Sequence, residues 1–414
     1  MARRASAGTV LILGGGADQA LLVQEFARRG WRTLIMDYYP NPPAKRFATL
    51  HCQTSCYDCD AALALARDQH ADLVTTICTD QPLLVAADVS AQLGLPSPVP
   101  YQTALALTNK AHMKATLAAH AIPSARHCVV TSADDPGLTS AALAWPRIVK
   151  PADSSGSRGV QTVRASHELA AAVATARTFS RCDRVIIEEY LEGYEVSVDA
   201  FVLKGRAHVL MCSDNYKVQQ PGKTALAARS QYPSRMAPAL HPRVQHILQQ
   251  LATAFQLNNT PLFAQLLVHG DEIAVIELSA RLAGGSKPLF IQTVTGIDVV
   301  RAFVALLLHE EVQVVPAAPA DLVTVQYVYC TAGVIRELRG FDALLAAGQL
   351  TAYAPYRLPG DTVHGWAHGG DRVAAYLLRH ASLEHLRAAD RAVEARCAVI
   401  DVHARDLLVR NLHY

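Results

Sequence analysis

The stretch Lys150-Pro151-Ala152-Asp153-Ser154-Ser155-Gly156-Ser157-Arg158-Gly159-Val160 sets a lysine at the end of an apolar run and follows it with a small, hydroxyl-rich turn. Such a turn lays backbone N–H groups and serine hydroxyls against phosphate oxygens, and the lysine adds a point charge. The order G-x-x-x-x-G-K is absent, so this is not a Walker loop. Alone, the stretch reads equally well as a flexible surface turn. Its surroundings decide.

Downstream, Ile186-Ile187-Glu188-Glu189-Tyr190-Leu191-Glu192-Gly193-Tyr194-Glu195-Val196-Ser197-Val198-Asp199 joins a buried strand to a second strand through a carboxylate-rich hinge. The exposed backbone of such a strand reads an adenine edge, and a carboxylate accepts both ribose hydroxyls. Further on stand Gln265 and Ile276-Glu277-Leu278-Ser279-Ala280-Arg281-Leu282-Ala283-Gly284-Gly285. Oxygen ligands from two adjacent strands suit Mg²⁺ shared with nucleotide phosphates, and an arginine beside them neutralises anionic oxygens bidentately.

Around this centre the apolar periodicity changes along the chain. Residues 9–13, 33–36 and 73–77 read as buried strands, and 20–29, 61–70 and 83–93 as helices between and after them, which means a parallel sheet with helices on its faces. The Pro-rich 95–100 stretch closes this unit, so a first domain of Rossmann type is expected over 1–100. Thr108-Asn109-Lys110 then caps a helix to about His120, ended by Ile122-Pro123. Hairpin-spaced strands at 159–163, 185–190, 195–203, 207–212, 264–269 and 273–277 predict an antiparallel sheet, with helices at 168–177, 242–255 and 297–308. The second domain is expected over 101–314. A second boundary, Val315-Pro316-Ala317-Ala318-Pro319, precedes a small α/β unit over 315–414 with strands at 322–328 and 334–338 and a helix at 383–397.

The glycine triplet Gly14-Gly15-Gly16, with Asp37 about twenty residues on, is a partial dinucleotide fingerprint. Gln19 stands where the fingerprint needs a third small residue, so a glycine turn that contacts another ligand or only shapes the fold is the better reading. Cys52, Cys56 and Cys59 carry a C-x3-C-x2-C spacing that suits an iron–sulfur cluster or zinc. They follow the second strand of a nucleotide-type domain, and unligated thiols are favoured. The segment 214–234, with Lys217, Lys223 and Arg229, reads either as substrate-facing or as a solvated loop.

Composition bounds the answer. The 414 residues are 51% hydrophobic and 18% charged, enough for a large core without disulfide or metal staples. The balance of 38 basic to 36 acidic residues does not fit a nucleic-acid partner. No apolar run approaches the roughly 18 residues of a membrane span. Nine cysteines, an odd count, and an apolar N-terminal run that ends in three glycines argue for reduced thiols and a cytoplasmic location.

Taken in order, these motifs resemble the ATP-grasp superfamily, and within it the branch of carboxylate–amine ligases, biotin carboxylase and the carbamoyl-phosphate synthetase large subunit. The likeness covers nearly the whole chain. It implies an α/β fold with a Rossmann-like N-terminal domain, a two-part ATP-grasp core whose mobile clamp spans about 146–205, and a small C-terminal α/β domain. By position, Lys110 and Lys150 match the two phosphate-contacting lysines, and Ser154, Ser155, Gly156, Ser157 and Gly159 the loop over the β- and γ-phosphates. Glu188 matches the hinge acid near the adenine amine. Glu189, Tyr190 and Leu191 fall with the backbone that reads the adenine edge, and Glu195 matches the ribose acid. Glu277 matches the metal-bridging carboxylate, Arg281 the arginine that meets the acyl phosphate, and Gly284-Gly285-Ser286 the turn lining the acceptor pocket.

Two departures stand out: Gln265 replaces the first metal acid and Ser279 the usual asparagine, so Gln265, Glu277 and Ser279 form the implied metal set with a single full charge. The resemblance permits this, since carbamoyl-phosphate synthetase has glutamine at the first place. It implies ATP with Mg²⁺ or Mn²⁺, small-molecule carboxylate and amine substrates, a homodimer, and an ADP-forming ligase that makes an amide or peptide bond through an acyl phosphate, the carboxylate being an amino acid or related small acid. The alternatives on the same fold are a bicarbonate-using carboxylase and a non-catalytic nucleotide-binding relative.

Overall fold

The computed structural model describes residues 7–154, 156, 158–219, 225–317 and 321–413. The first six residues, Ser155, Ser157, Lys223, Ala318 and Pro319 lie outside the described residues.

The first unit contains β1 (Thr9–Leu13), α1 (Ala17–Arg28), β2 (Arg32–Met36), β3 (Leu50–Cys52), α2 (Cys59–Asp68), β4 (Leu73–Thr75) and α3 (Gln81–Leu93). Its four strands are parallel, in the order β3-β2-β1-β4. Every residue of β1 is buried, as the apolar run Val-Leu-Ile-Leu after Thr9 requires of a strand covered on both faces. Gln19, where the dinucleotide fingerprint fails, is buried in α1 and its Nε2 donates to Ile77 O at 2.6 Å. The side-chain amide ties the helix to the strand end where a small residue would have let them touch. Asp37, the other half of that fingerprint, accepts from Gly15 N at 2.7 Å and Tyr39 N at 2.9 Å and so fastens the turn.

Two helices, α4 (Tyr101–Thr108) and α5 (Lys110–Ala119), lead into a four-stranded antiparallel sheet. It is built from β5 (His127–Val130), β6 (Arg147–Pro151), β7 (Gln161–Val163) and β8 (Val185–Glu189), with α6 (Pro136–Thr139) and α7 (Ser166–Thr178) in the connections and the order β5-β8-β6-β7. Val130, Val149, Val185 and Ile187 pack with Leu169, Val173 and Ala176 of α7 in a core of their own.

A second sheet, antiparallel and eight-stranded, follows. Its strands β9 (Tyr194–Leu203), β10 (Arg206–Val218), β11 (Leu226–Tyr232), β12 (Thr260–His269) and β13 (Glu272–Ser279) are backed by α8 (His241–Ala254), α9 (Lys287–Thr295) and α10 (Val299–Leu307). The C-terminal stretch holds β14 (Leu322–Val328), β15 (Gly333–Arg339), α11 (Phe341–Ala346), β16 (Ala352–Pro355), β17 (Thr362–Val363), β18 (Ala374–His380), α12 (Leu383–Arg396) and β19 (Ala398–Asp401). The order β13-β12-β9-β10-β11-β14-β18-β16 carries the large sheet across Val315 into this stretch, because β14 pairs with β11 from Arg229↔Gln326 to Tyr232↔Val323.

The segment 214–234, read from sequence as a substrate-facing or solvated loop, is largely strand: β10 runs on to Val218 and β11 fills Leu226–Tyr232. One apolar core joins Val10, Ile12 and Phe26 of the first unit, Phe290 and Phe303 of α9 and α10, and Tyr327 and Ala375 of the C-terminal stretch. These three regions share that core, whereas the small sheet contributes nothing to it and packs around one of its own. Among the described residues no single helix is long and apolar enough to cross a membrane.

Candidate active site

Helix α5 begins with Asn109 as its N-cap, whose side chain accepts from Ala111 N at 3.0 Å. Lys110 and Lys114 lie one turn apart and therefore on one helix face. Lys110 Nζ donates to Ser154 O at 2.7 Å and stands 3.8 Å from Glu277 on β13. Lys114 turns to the small sheet: its Nζ is 3.0 Å from Glu188 on β8, and Lys150 at the end of β6 is 2.7 Å from the same oxygen. All three side chains of this cluster are buried. Although burial alone would raise it, the two ammonium groups hold the Glu188 carboxyl down at about 2. Lys114 is pushed down to about 8, mainly by burial. His127, opposite Glu188 on β5, is lowered mainly by burial as well. Three lysines against Glu188 and Glu277 leave one positive charge in excess, in a cleft between two sheets. That is what an anionic phosphate chain requires.

Along the hinge, the residues separate. Glu189 turns away to Arg126 at 2.9 Å and to Ala144 N at 2.9 Å, so its carboxylate braces the small sheet. Tyr190 N donates to Pro146 O at 3.0 Å, which anchors the start of the hinge, and the Tyr190 and Leu191 side chains are exposed. Gly193 sits at φ +142 where a Cβ would lie 2.6 Å from Val268 O, so only glycine lets the hinge pass over β12. Glu195 pairs with Lys217 of β10, while its other oxygen, Oε2, is buried with no hydrogen-bond partner. A buried carboxylate oxygen in want of a donor suits a hydroxyl ligand.

Across the cleft, Gln265 on β12 is the register partner of Glu277 on β13, and Ser279 lies two residues further along, buried, with an unpartnered Oγ. The oxygen set Gln265, Glu277 and Ser279 thus lies along two adjacent strands, and its orphaned hydroxyl fits a hard cation. Arg281, also buried, donates through Nε at 2.8 Å and holds Nη2 at 2.7 Å to the same Asp80 oxygen, at the start of α3. Asp80, Gln81, Thr108, Lys110, Ser154, Glu277, Ser279 and Arg281 line one cavity. Gly156 and Gly159 both have positive φ, at +67 and +71.

The turn at 284–286 is fixed from three directions. Asp18 Oδ2 accepts from Gly285 N at 3.1 Å and Ser286 N at 3.4 Å, Tyr327 Oη donates to Gly285 O at 3.2 Å, and Ser286 Oγ meets Tyr356 Oη at 2.7 Å. Gly285 has φ +77, and Ser286 is held in the same left-handed region at φ +60. Burial raises the Asp18 carboxyl to about 6.

Sequence reading did not find Lys114, Asp80, Asp18 or the C-terminal tyrosines. The i+4 spacing from Lys110 was a usable signal for Lys114, and the helix-opening Thr79-Asp80-Gln81-Pro82 a weaker one for Asp80. Of the three clustered cysteines, Cys56 is buried and Cys59 Sγ donates to Asp88 at 3.0 Å. Among the described residues only Asp390, Glu394 and His413 bring three metal-ligand atoms within 4.8 Å of one another. Their geometry is that of an ion pair, with His413 Nδ1 3.0 Å from Asp390 and Nε2 3.1 Å from Tyr327 O.

Two sheets that close on a cation-lined cleft, with oxygen ligands on one sheet and a lysine-bearing turn on the other, define a nucleotide-clamping fold. The family described as ATP-grasp domain matches residues 143–288. Phosphoribosylamine--glycine ligase of Streptomyces coelicolor is 30% identical over 283 residues, a match that spans 66% of this chain and 66% of that protein, just under two thirds of each. L-amino acid ligase from Bacillus licheniformis superposes with a TM-score of 0.76 at 18% identity, over 96% of this chain and 100% of that one. Phosphoribosylglycinamide synthetase from Anaerococcus prevotii gives 0.74 at 18% identity, over 95% and 99%. Residues 143–288 thus carry an ATP-grasp domain, and these relatives and neighbours, which match along most of the chain, are ligases and synthetases by name.

Proposed function

We propose that this chain uses ATP to convert a small carboxylate, of the amino-acid kind, into an acyl phosphate and joins it to an amine. The observation that carries this reading is the convergence of Lys110, Lys114, Lys150 and Arg281, with one positive charge left over by Glu188, Glu277 and Asp80. A substrate carboxylate oxygen attacks the γ-phosphorus, the bond to the β-phosphate oxygen breaks, and ADP leaves with the electron pair. The amine then attacks the acyl carbon and releases inorganic phosphate.

No protein nucleophile is needed. Catalysis is positioning and charge neutralisation. Lys150 and Lys110 meet the phosphates, and Arg281, released from Asp80, meets the substrate carboxylate and the acyl phosphate formed from it. Gln265, Glu277 and Ser279 would hold Mg²⁺, which would supply charge neutralisation to the transferring phosphate. Because the small sheet has its own core, it swings over the cleft without opening the main one, and the turn after Lys150 then shields the acyl phosphate from water.

The test is ADP release with Mg²⁺-ATP against pooled amino acids, pooled amines and bicarbonate, each alone and combined. Turnover that needs an organic carboxylate and rises with an amine is expected. Turnover with bicarbonate alone makes the chain a carboxylase, and bound ATP without turnover in any pool makes it a non-catalytic relative.

A further inference from the structure

Arg372 lies just beyond the 284–286 turn. Its Nε donates to Tyr329 Oη at 3.1 Å, and its guanidinium lies 3.7 Å over the Tyr327 ring. Its Nη1 is 2.7 Å from the point a Cβ on Gly285 would occupy. Among the described residues, no carboxylate stands within ion-pair distance of it, whereas Arg281, the other arginine near this turn, is paired with Asp80. A half-buried guanidinium with no carboxylate in direct contact leaves part of its charge for an anionic ligand group to meet. On the other flank of Gly285, Asp18 spends one oxygen on the turn. The groups that face Asp18 are Cys78, Arg281 and Arg372, with Tyr356 close by. Ser286 at φ +60 is an ordinary residue held in a strained conformation between these two charges, the kind of outlier that clusters at ligand clamps.

We infer that the acceptor is a zwitterionic amine of the α-amino acid class, its carboxylate received by Arg372 and its ammonium by Asp18. This rests on the ligase reading and adds the acceptor's class to it. One cation and one anion flank the turn, so a ligand with one charge of each sign balances both. A phosphate monoester brings a surplus negative charge, and a simple amine leaves Arg372 uncompensated. In the reaction the ammonium gives a proton to Asp18, and the nitrogen lone pair attacks the acyl carbon. The C–N bond forms as the C–O bond to phosphate breaks, phosphate leaves with the electron pair, and the second nitrogen proton passes to solvent. With its carboxyl raised only to about 6, Asp18 is still ionised at neutral pH.

The experiment compares the twenty amino acids as acceptors with their decarboxylated amines and with O-phosphoethanolamine, by ADP release in the presence of pooled carboxylates. For the best amino acid, kcat/KM is expected to exceed that of its decarboxylated amine by at least about tenfold, the worth of one lost charge-assisted contact. In Arg372→Met this ratio is expected to fall toward one. Equal use of the decarboxylated amine, a preference for O-phosphoethanolamine, or an unchanged ratio in Arg372→Met overturns the inference while leaving the ligase standing. If no pool releases ADP, the ligase reading has failed, and the amino-acid site is read separately. An amino acid at 10 mM should then raise the Tm of the wild-type protein and not that of Arg372→Met, and equal shifts or none overturn the inference. Arg372→Lys, which keeps a cation without the planar fork, serves if the methionine variant does not fold, with ATP binding as the folding control.

Discussion

The cation-lined cleft and the turn at 284–286 are built in opposite ways. In the cleft, cations and acids come from short continuous runs, and the charges answer one another: Lys114 and Lys150 with Glu188, Lys110 with Glu277, Arg281 with Asp80. At the turn, single residues come from three distant parts of the chain, Asp18, Ser286 and Arg372, and among the described residues no carboxylate stands within ion-pair distance of the arginine. A site that recognises the same nucleotide in every member of a superfamily can be assembled in advance from paired charges. A site that selects a variable acceptor leaves a charge for that acceptor to complete.

Four experiments break or sharpen this contrast. The largest effect is expected from Lys150→Ala: ADP formation should fall by about 10²–10³-fold with the fold intact, because a positioned charge is lost at the transferring phosphoryl group. Circular dichroism beside the ADP assay separates this from unfolding, and a fully active variant would remove the phosphate assignment.

Next, Glu188→Gln leaves two buried lysines without their acid and should cost about 3–5 kcal/mol in denaturant unfolding. The sign with pH follows from the direction of the shift. A carboxyl held at about 2 in the folded chain, against 4.5 as its ordinary value, gives stability that is present above pH 4.5. That contribution is lost as pH falls through 2, so the variant's acid limb between those values should be flatter than the wild-type one.

A smaller change is expected from Gln265→Glu. A second full charge opposite Glu277 should lower the Mg²⁺ concentration for half-maximal ADP release by on the order of tenfold. No change would mean that Gln265 is not part of the metal set. The smallest effect belongs to Cys52→Ser, expected to alter stability by less than about 0.5 kcal/mol and to leave the metal content of purified protein unchanged. A loss of bound iron or zinc would restore the cluster reading.

How much was legible varied with how local the determinants are. Strand β1 was readable because burial on both faces leaves only apolar residues, and α12 because its buried face repeats every three to four residues. Strand β11, Leu-Ala-Ala-Arg-Ser-Gln-Tyr, was missed. It lies between β10 and β14, where Ser230 Oγ donates to Asn215 Oδ1 and Arg229 to the His413 carbonyl, so pairing overrides its weak propensity. Helix α9 was missed because its N-cap, Ser286, has a left-handed backbone no capping pattern predicts. Within the site, Glu188 and Glu189 look equivalent in sequence, yet alternation along β8 turns one to the lysines and the other to Arg126.

The sequence by itself determined the nucleotide-clamping class, since a lysine, a hydroxyl-rich turn and a carboxylate hinge act over a few residues, where the backbone fixes spacing. Only the tertiary structure decided that Lys114 joins Lys150 on Glu188, that Asp80 holds Arg281, and that Asp18 and Arg372 both close on Gly285. Those pairings depend on one apolar core that packs the first unit, the large sheet and the C-terminal stretch together, and no local pattern records which distant charges such a core brings within a few ångströms.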